Sequence, residues 1–282
     1  MTVMALRALA TMILVAAVFL PMACGGGERV LRTRDRQIIS FDRMLDEIRG
    51  ARVIFVGESH VVMAHHRTQL RIIRALERQG VSLAVGMEMF PAVEQPSLDR
   101  WLAQRMSGEE FIDLYYRNWR MPWPLYRDIL LYARRQGIPI VGLNIPRDVA
   151  EKVARQGFAA LTPAERKMLP PDITCDVDSR YMAFIKEAYS FHAAGGASFL
   201  HFCEAQLIWN RGMATHVAFF LASQPQRSMV VICGAGHALK RGIPAELARE
   251  SRAEWRVILP ELPELPRERV TAEDADYLLL GG

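Results

Sequence analysis

The sequence contains no Cys-x-x-Cys pair, no His-Glu-x-x-His and no Gly-x-Ser-x-Gly. The first absence removes a zinc ribbon. The other two remove the familiar protease and esterase signatures. The 35 basic and 31 acidic residues are interspersed, and the basic clusters are short, as in Arg32, Arg34 and Arg36. Nucleic-acid binding calls for a basic stripe with interleaved aromatics, and none is present. There is no internal repeat and no low-complexity tract. After residue 24 no apolar run is long enough to span a bilayer. Cysteine is scarce: Cys24, Cys175, Cys203 and Cys233. One disulfide can form among the last three, but spacing does not choose the pair. Buried free thiols are the default expectation, with Cys233 in an apolar run and Cys203 in a helical pattern.

What is present begins with an address. Arg7 precedes an apolar stretch from Ala8 to Leu20, followed by Pro21-Met22-Ala23-Cys24. This is the order of a secretory signal, and it is shorter than the ~20 residues of a spanning helix. Ala23 before Cys24 resembles a bacterial lipobox, although Pro21 stands where leucine is usual. The expectation is a signal peptide over 1–23, lipidation at Cys24 and a flexible tether over 24–37 led by three glycines. A single domain over 38–282 follows, held at the bilayer surface of the cell envelope.

Four short apolar runs share a punctuation. They are Val53–Val56 before Gly57, Leu83–Val85 before Gly86, Ile138–Val141 before Gly142 and Met229–Cys233 before Gly234. Short runs apolar on both faces read as strands covered on both sides by helices. Amphipathic helical patterns lie between most of them, and two late runs, Trp255–Leu259 and Tyr277–Leu280, read as terminal strands. The predicted fold is α/β, with a mainly parallel central sheet flanked by helices. Residues 91–125, rich in aromatics, and 148–200 interrupt the alternation as helical cap insertions after the second and third of these strands.

Parallel α/β sheets bind ligands beyond the carboxyl ends of their strands. Glu58 and His60 follow the first strand, Glu88 the second, Asn144 the third and His237 the fourth. The expectation is that Glu58, His60, Glu88 and His237 meet in one pocket. An unpaired buried carboxylate is costly, which makes Glu88 in its apolar run hard to read as filler. His65 and His66 open the next helix, whose amino terminus disfavours imidazolium, so both are expected to be neutral. His192, His201 and His216 read as structural or surface residues.

The blocks Gly57-Glu58-Ser59-His60, His65-His66, Gly86–Phe90 with Glu94-Gln95-Pro96, Gly142–Arg147, Ala205–Trp209, Met213-Ala214 and Gly234–Pro244 follow one another in a familiar order. Together they resemble the ChaN family of haem-binding uptake proteins, over roughly residues 40–280. That family shares a superfamily with Tiki-type metalloproteases and erythromycin esterases. The resemblance implies an α/β fold with a helical cap and haem held partly by tyrosine at a dimer contact. Two positions depart from the family pattern. Val61-Val62 replace Asp-Asn, and Asn210 replaces Asp after the Trp of the Ala-Gln-x-x-Trp block. Losing those carboxylates weakens a hydrolytic metal site.

Two functions compete at this point. One is a haem-binding, iron-uptake lipoprotein, a homodimer in the family's manner. Tyr115, Tyr116 and Tyr126 are its candidate iron ligands. Arg117, Arg120 and Arg127 would meet the propionates, and His65, His66, Asn144 and Gln206 complete the ligand site. The other is a hydrolase in which His60, His237 and Glu58 hold a divalent metal, or in which Glu58, His60, Glu88 and His237 act directly as acids and bases. A third possibility is a lipoprotein that binds another small ligand over an inactive polar site.

Overall fold

The computed structural model describes residues 29–281 apart from 168, 170–174, 176, 178 and 193–197. The expected signal peptide and Cys24 therefore lie outside the described residues, as does the side chain of His192. The chain opens with strands β1 (Arg29–Arg32) and β2 (Gln37–Ser40), helix α1 (Phe41–Ile48), β3 (Val53–Glu58), α2 (Met63–Arg78) and β4 (Leu83–Pro91). The first excursion follows as α3 (Gln95–Leu102) and α4 (Gly108–Asn118), before α5 (Trp123–Gln136) and β5 (Ile140–Asn144). The second holds α6 (Arg147–Gln156), α7 (Pro163–Arg166) and α8 (Ser179–His192), before α9 (Phe199–Ser223). Then come β6 (Ser228–Gly234), α10 (Ala235–Ala238), α11 (Ile243–Glu250), β7 (Trp255–Pro260) and β8 (Tyr277–Leu280).

One eight-stranded sheet runs β2-β1-β8-β7-β3-β6-β4-β5. From β8 to β5 every neighbour is parallel, and β1 pairs antiparallel with β8 and with β2. The α/β class, the mainly parallel sheet and both helical excursions are as the sequence predicts. The tether is not. It was expected to run to residue 37, but Arg29–Ser40 forms a hairpin registered on β8. Within Arg29–Arg32 both Val30 and Leu31 are buried, on opposite faces of the sheet, an apolar pair too short to separate from loop.

Alternate residues of each strand feed separate cores. Ile54 and Val56 of β3, with Val85 and Met87 of β4, pack beneath α1–α5. Val53 and Phe55, with Val231 and Cys233, pack beneath α6, α9 and α11. Among the described residues no helix is both long and apolar enough to cross a membrane.

The punctuating glycines belong to the strands themselves and do not end them, except at the last residue of β6. Gly57, Gly86, Gly142 and Gly234 all lie within strands. A Cβ on Gly142 would stand 2.7 Å from the Pro91 carbonyl oxygen, and one on Gly57 would stand 2.7 Å from Leu259. These glycines admit close packing of β4 on β5 and of β3 beneath its neighbours. The thiol expectation is also corrected. Cys175 and Cys203 form a disulfide that joins the segment before α8 to α9, while Cys233 is free and buried.

Candidate functional site

At the carboxyl edge of the sheet, a cavity of about 390 Å³ is lined by His60, Glu88, Asn144, Gln206 and His237 among others. Trp119, Trp209, Met89, Met121 and Ile145 supply apolar wall, and Arg120, Arg147 and Glu151 also line it. Three of the four strand-end residues thus share one space, and Glu58 stands directly behind His60.

Glu58 has the parity of Ile54 and Val56, so it points under α2 and α5. There its carboxylate accepts hydrogen bonds from Gln69 Nε2 at 2.8 Å, His60 Nδ1 at 2.9 Å and the Tyr126 hydroxyl, and pairs with His66 Nδ1 at 3.1 Å. A carboxylate has about four acceptor positions, and these partners fill them. Burial pushes the Glu58 carboxyl up, but the hydrogen bonds from His60 and His66 outweigh it and hold the group at about 2. His60 shows the reciprocal effect. Burial lowers it, yet the bond to Glu58 and the charge of Glu88 lift it to about 8. Its ring is about a third exposed and stands edge-on to Trp119 at 5.1 Å.

His65 and His66 part company. His65 accepts from the Ser59 N–H at Nδ1, and burial, then the neighbouring His66, keep it below its ordinary value. His66 was expected to be neutral, and here the structure differs. Burial again works downward, but Glu58 raises it above its ordinary value, and Nε2 reaches the His60 carbonyl at 3.1 Å. A buried ion pair outweighs the helix-terminus effect of ~1 kcal/mol or less. Both rings are buried, so neither is a ligand-binding residue.

Glu88 has the opposite parity, that of Ala84 and Gly86, and sits within a register shift in β4 between Met87 and Pro91. One oxygen accepts from the Gly234 N–H at 2.7 Å, and the other stands 3.8 Å from His237 Nε2. His237 is held at Nδ1 by Asn210 Oδ1 at 2.7 Å, and its ring meets the edge of Trp209 at 5.9 Å. Burial lowers His237 below its ordinary value.

The metal shell expected from His60, His237 and Glu58 does not form. Glu58 is spent on its own partners, and among the described residues no three His, Cys, Asp or Glu side chains are placed to hold a metal ion. Two candidate iron ligands are also corrected. Tyr115 and Tyr126 are fully buried, and their hydroxyls donate to the Met121 carbonyl and to Glu58. Burial raises both phenols, Tyr126 further through Glu58. Tyr116 is 48% exposed, and Arg117 is exposed beside it. Arg127 is engaged with Asp128 at the surface. Asn144 donates to the Glu88 carbonyl at 2.8 Å and so braces β4 while lining the cavity. His201 and His216 bond the carbonyls of Arg155 and Leu143, structural as expected. Trp209 and Arg147 were missed, although both lie inside the quoted sequence blocks. Gln69 and Tyr181 carried no signal.

The model of the family described as "Haem-binding uptake, Tiki superfamily, ChaN" matches residues 44–247. A structure of ChaN of Campylobacter jejuni with cofacial haem superposes at a TM-score of 0.72 and 20% identity, covering 90% of this chain and 97% of that one. A mutant of the erythromycin esterase EreC in its open conformation superposes at 0.50 and 15% identity, covering 82% and 76%. Protein RETICULATA-RELATED 5, chloroplastic, from Arabidopsis thaliana is 24% identical over 257 residues. Those cover 84% of this chain, which spans only about a third of that relative (35%).

Proposed function

Because the chain belongs to the ChaN family of haem-binding uptake proteins in the Tiki superfamily, we propose that it binds haem as cargo for iron uptake. The observation that carries this reading is the carboxyl end of α4. Tyr116 and Arg117 stand exposed there, and the chain then runs through Trp119, Arg120 and Met121 along the cavity wall. A porphyrin needs apolar surface for its faces, cations for its propionates and a donor for its iron. Aromatic and thioether wall meets the first need, and Arg117, Arg120 and Arg147 meet the second. Tyr116 is the exposed member of the candidate tyrosines, and its oxygen accepts the Trp123 backbone N–H at 3.0 Å, which fixes the ring at the end of α4. When bound, haem supplies the iron that such an oxygen ligates. Absorbance titration tests the reading. The mature domain should shift the Soret band beyond that of free haem in buffer, and Tyr116→Phe should weaken binding by about tenfold or more. Tyr115→Phe should leave haem affinity unchanged. No Soret shift with the wild type removes the reading.

The same proposal places the domain at the bacterial cell envelope, anchored by a lipidated Cys24. Fatty-acid labelling that is lost in Cys24→Ser supports the anchor, and equal labelling of both proteins sinks it. The family's dimer would appear as a doubling of mass on sedimentation with haem.

A second reading is favoured by one specific observation. His60 and His237 line the same cavity with opposite protonation preferences, and Glu88 lies beside His237. A protonated His60 can donate to a leaving group while Glu88 or His237 takes a proton from water, which is the division of labour of ester or amide hydrolysis. Glu88→Gln should then abolish turnover of an ester library by a folded protein. Absence of turnover by the wild type discards this reading and leaves haem binding untouched.

A further inference from the structure

We propose that Asn210, itself held by Tyr181, is a positioning residue that fixes His237 with its proton on Nδ1, so that Nε2 offers a bare lone pair to the cavity. The argument starts from α9. Asn210 is buried on that helix at 1% exposure, where a side-chain amide needs partners at both ends. Its Nδ2 donates to the Tyr181 hydroxyl of α8 at 2.6 Å, which leaves Oδ1 facing the ring at 2.7 Å from His237 Nδ1. An amide oxygen only accepts, so Nδ1 carries the hydrogen. Glu88 Oε1 stands 3.8 Å from Nε2, too far for a hydrogen bond.

The chemistry of an amide differs here from that of a carboxylate. Both orient an imidazole, but only a carboxylate adds a full negative charge that favours imidazolium. The groups facing His237 are Glu88 from β4, His60 from beyond β3, and Trp209 and Asn210 from α9. Glu88 favours a charged ring, whereas burial and His60 oppose it, and the balance leaves His237 below its ordinary value. The departure at position 210 therefore makes a neutral, accept-only atom at the cavity floor. Across the cavity, His60 is bonded to Glu58 through Nδ1, and in its charged form, favoured below about 8, its Nε2 presents an N–H. The floor is thus matched to a bound group that donates on the His237 side and accepts on the His60 side. This relay rests on neither functional reading, since it concerns the ligand-free protein.

Nitrogen-detected NMR of the ligand-free mature protein with labelled histidine tests it, with the His237 signal assigned by its loss in His237→Gln. The expected result is the Nδ1–H tautomer in the wild type. Tyr181→Phe should give a mixture of tautomers without charging the ring. Asn210→Asp should raise the proton affinity of His237 about tenfold or more, because a carboxylate now sits at Nδ1. An Nε2–H tautomer in the wild type overturns the proposal and needs no variant to fold. An Asn210→Asp protein whose His237 titrates as in the wild type overturns it equally. Haem titration of the same samples reads the haem proposal separately.

Discussion

His60 and His237 occupy matching positions and behave as opposites. Each follows a parallel strand, each faces the edge of a tryptophan, and each bonds a buried side chain through Nδ1. One bonds Glu58 and is lifted to about 8, while the other bonds Asn210 and is lowered. Strand topology brought both rings to one cavity, but it did not decide their charge. Burial lowers both rings; the carboxylate behind His60 overcomes it, with help from Glu88, whereas the neutral amide behind His237 leaves burial to prevail. A functional site on a parallel sheet is therefore incompletely described by the residues that line it.

The sharpest way to break the contrast is to remove its charged half. Glu58→Gln leaves His66 and His60 beside a neutral amide in a buried network. Stripping one partner from a buried ion pair costs roughly 3–5 kcal/mol. Urea denaturation should show a loss of that order, and His60 should titrate well below the value of about 8 that Glu58 gives it. His237 keeps its own bonds on the other face and should move only slightly, upward, as His60 loses the charge that repels it. A loss under about 1 kcal/mol would mean that the four-partner carboxylate is not a structural keystone.

On the opposite side the corresponding brace is the disulfide. Cys203 lies two turns before Asn210 on α9, and Cys175 precedes the helix that carries Tyr181. The bond closes a sequence separation of 28 residues. Chain entropy for such a loop gives about 3.6 kcal/mol, with about 2–4 expected in practice. Cys175→Ser should lower stability by that amount while His60 keeps its titration unchanged. Equal disturbance of both histidines would show that the two sides are not independent.

Much of this arrangement was readable in the chain, and the remainder has a physical reason for being hidden. Strands β3 to β6 announce themselves as short apolar runs punctuated by glycine, and that alone brings His60, Glu88 and His237 to one edge. Periodicity also marked the helices on either side. The β1–β2 hairpin stayed hidden because each of its strands has only two apolar residues, flanked by polar ones, whereas β8 is apolar throughout. The sequence placed Glu58 at the correct edge, yet parity turns it away from the cavity and beneath α2. The side chains that hold Glu58 and His237, namely Gln69, Tyr126 and Asn210, come from helices α2, α5 and α9, and nothing in the local pattern of those helices announces these bonds. The three tyrosines show the same limit. An aromatic-rich excursion does not say which ring packs inward, and two of the three do.

The smallest effect is also the one that separates the two histidines by sign. A folded-state value raised above the unfolded 6.5 means that the native state holds its proton more tightly. The stability His60 contributes is therefore fully present below pH 6.5 and is lost as pH rises through about 8. A lowered value works the other way. The stability associated with a neutral His237 is fully present above 6.5 and is lost as pH falls below it. Whole-protein profiles blur this, since His66 sides with His60 while His65 and His216 side with His237. Subtraction isolates each ring. The stability gap between wild type and His60→Gln should close by about 1–2 kcal/mol on going from pH 6 to pH 9, discounted for the exposed part of the ring. The gap between wild type and His237→Gln should instead narrow on going from pH 7 to pH 5. Chemical denaturation at each pH supplies both curves. If the two gaps slope in the same direction, the histidines carry like charge, and neither the acid–base division nor the amide's influence on His237 survives.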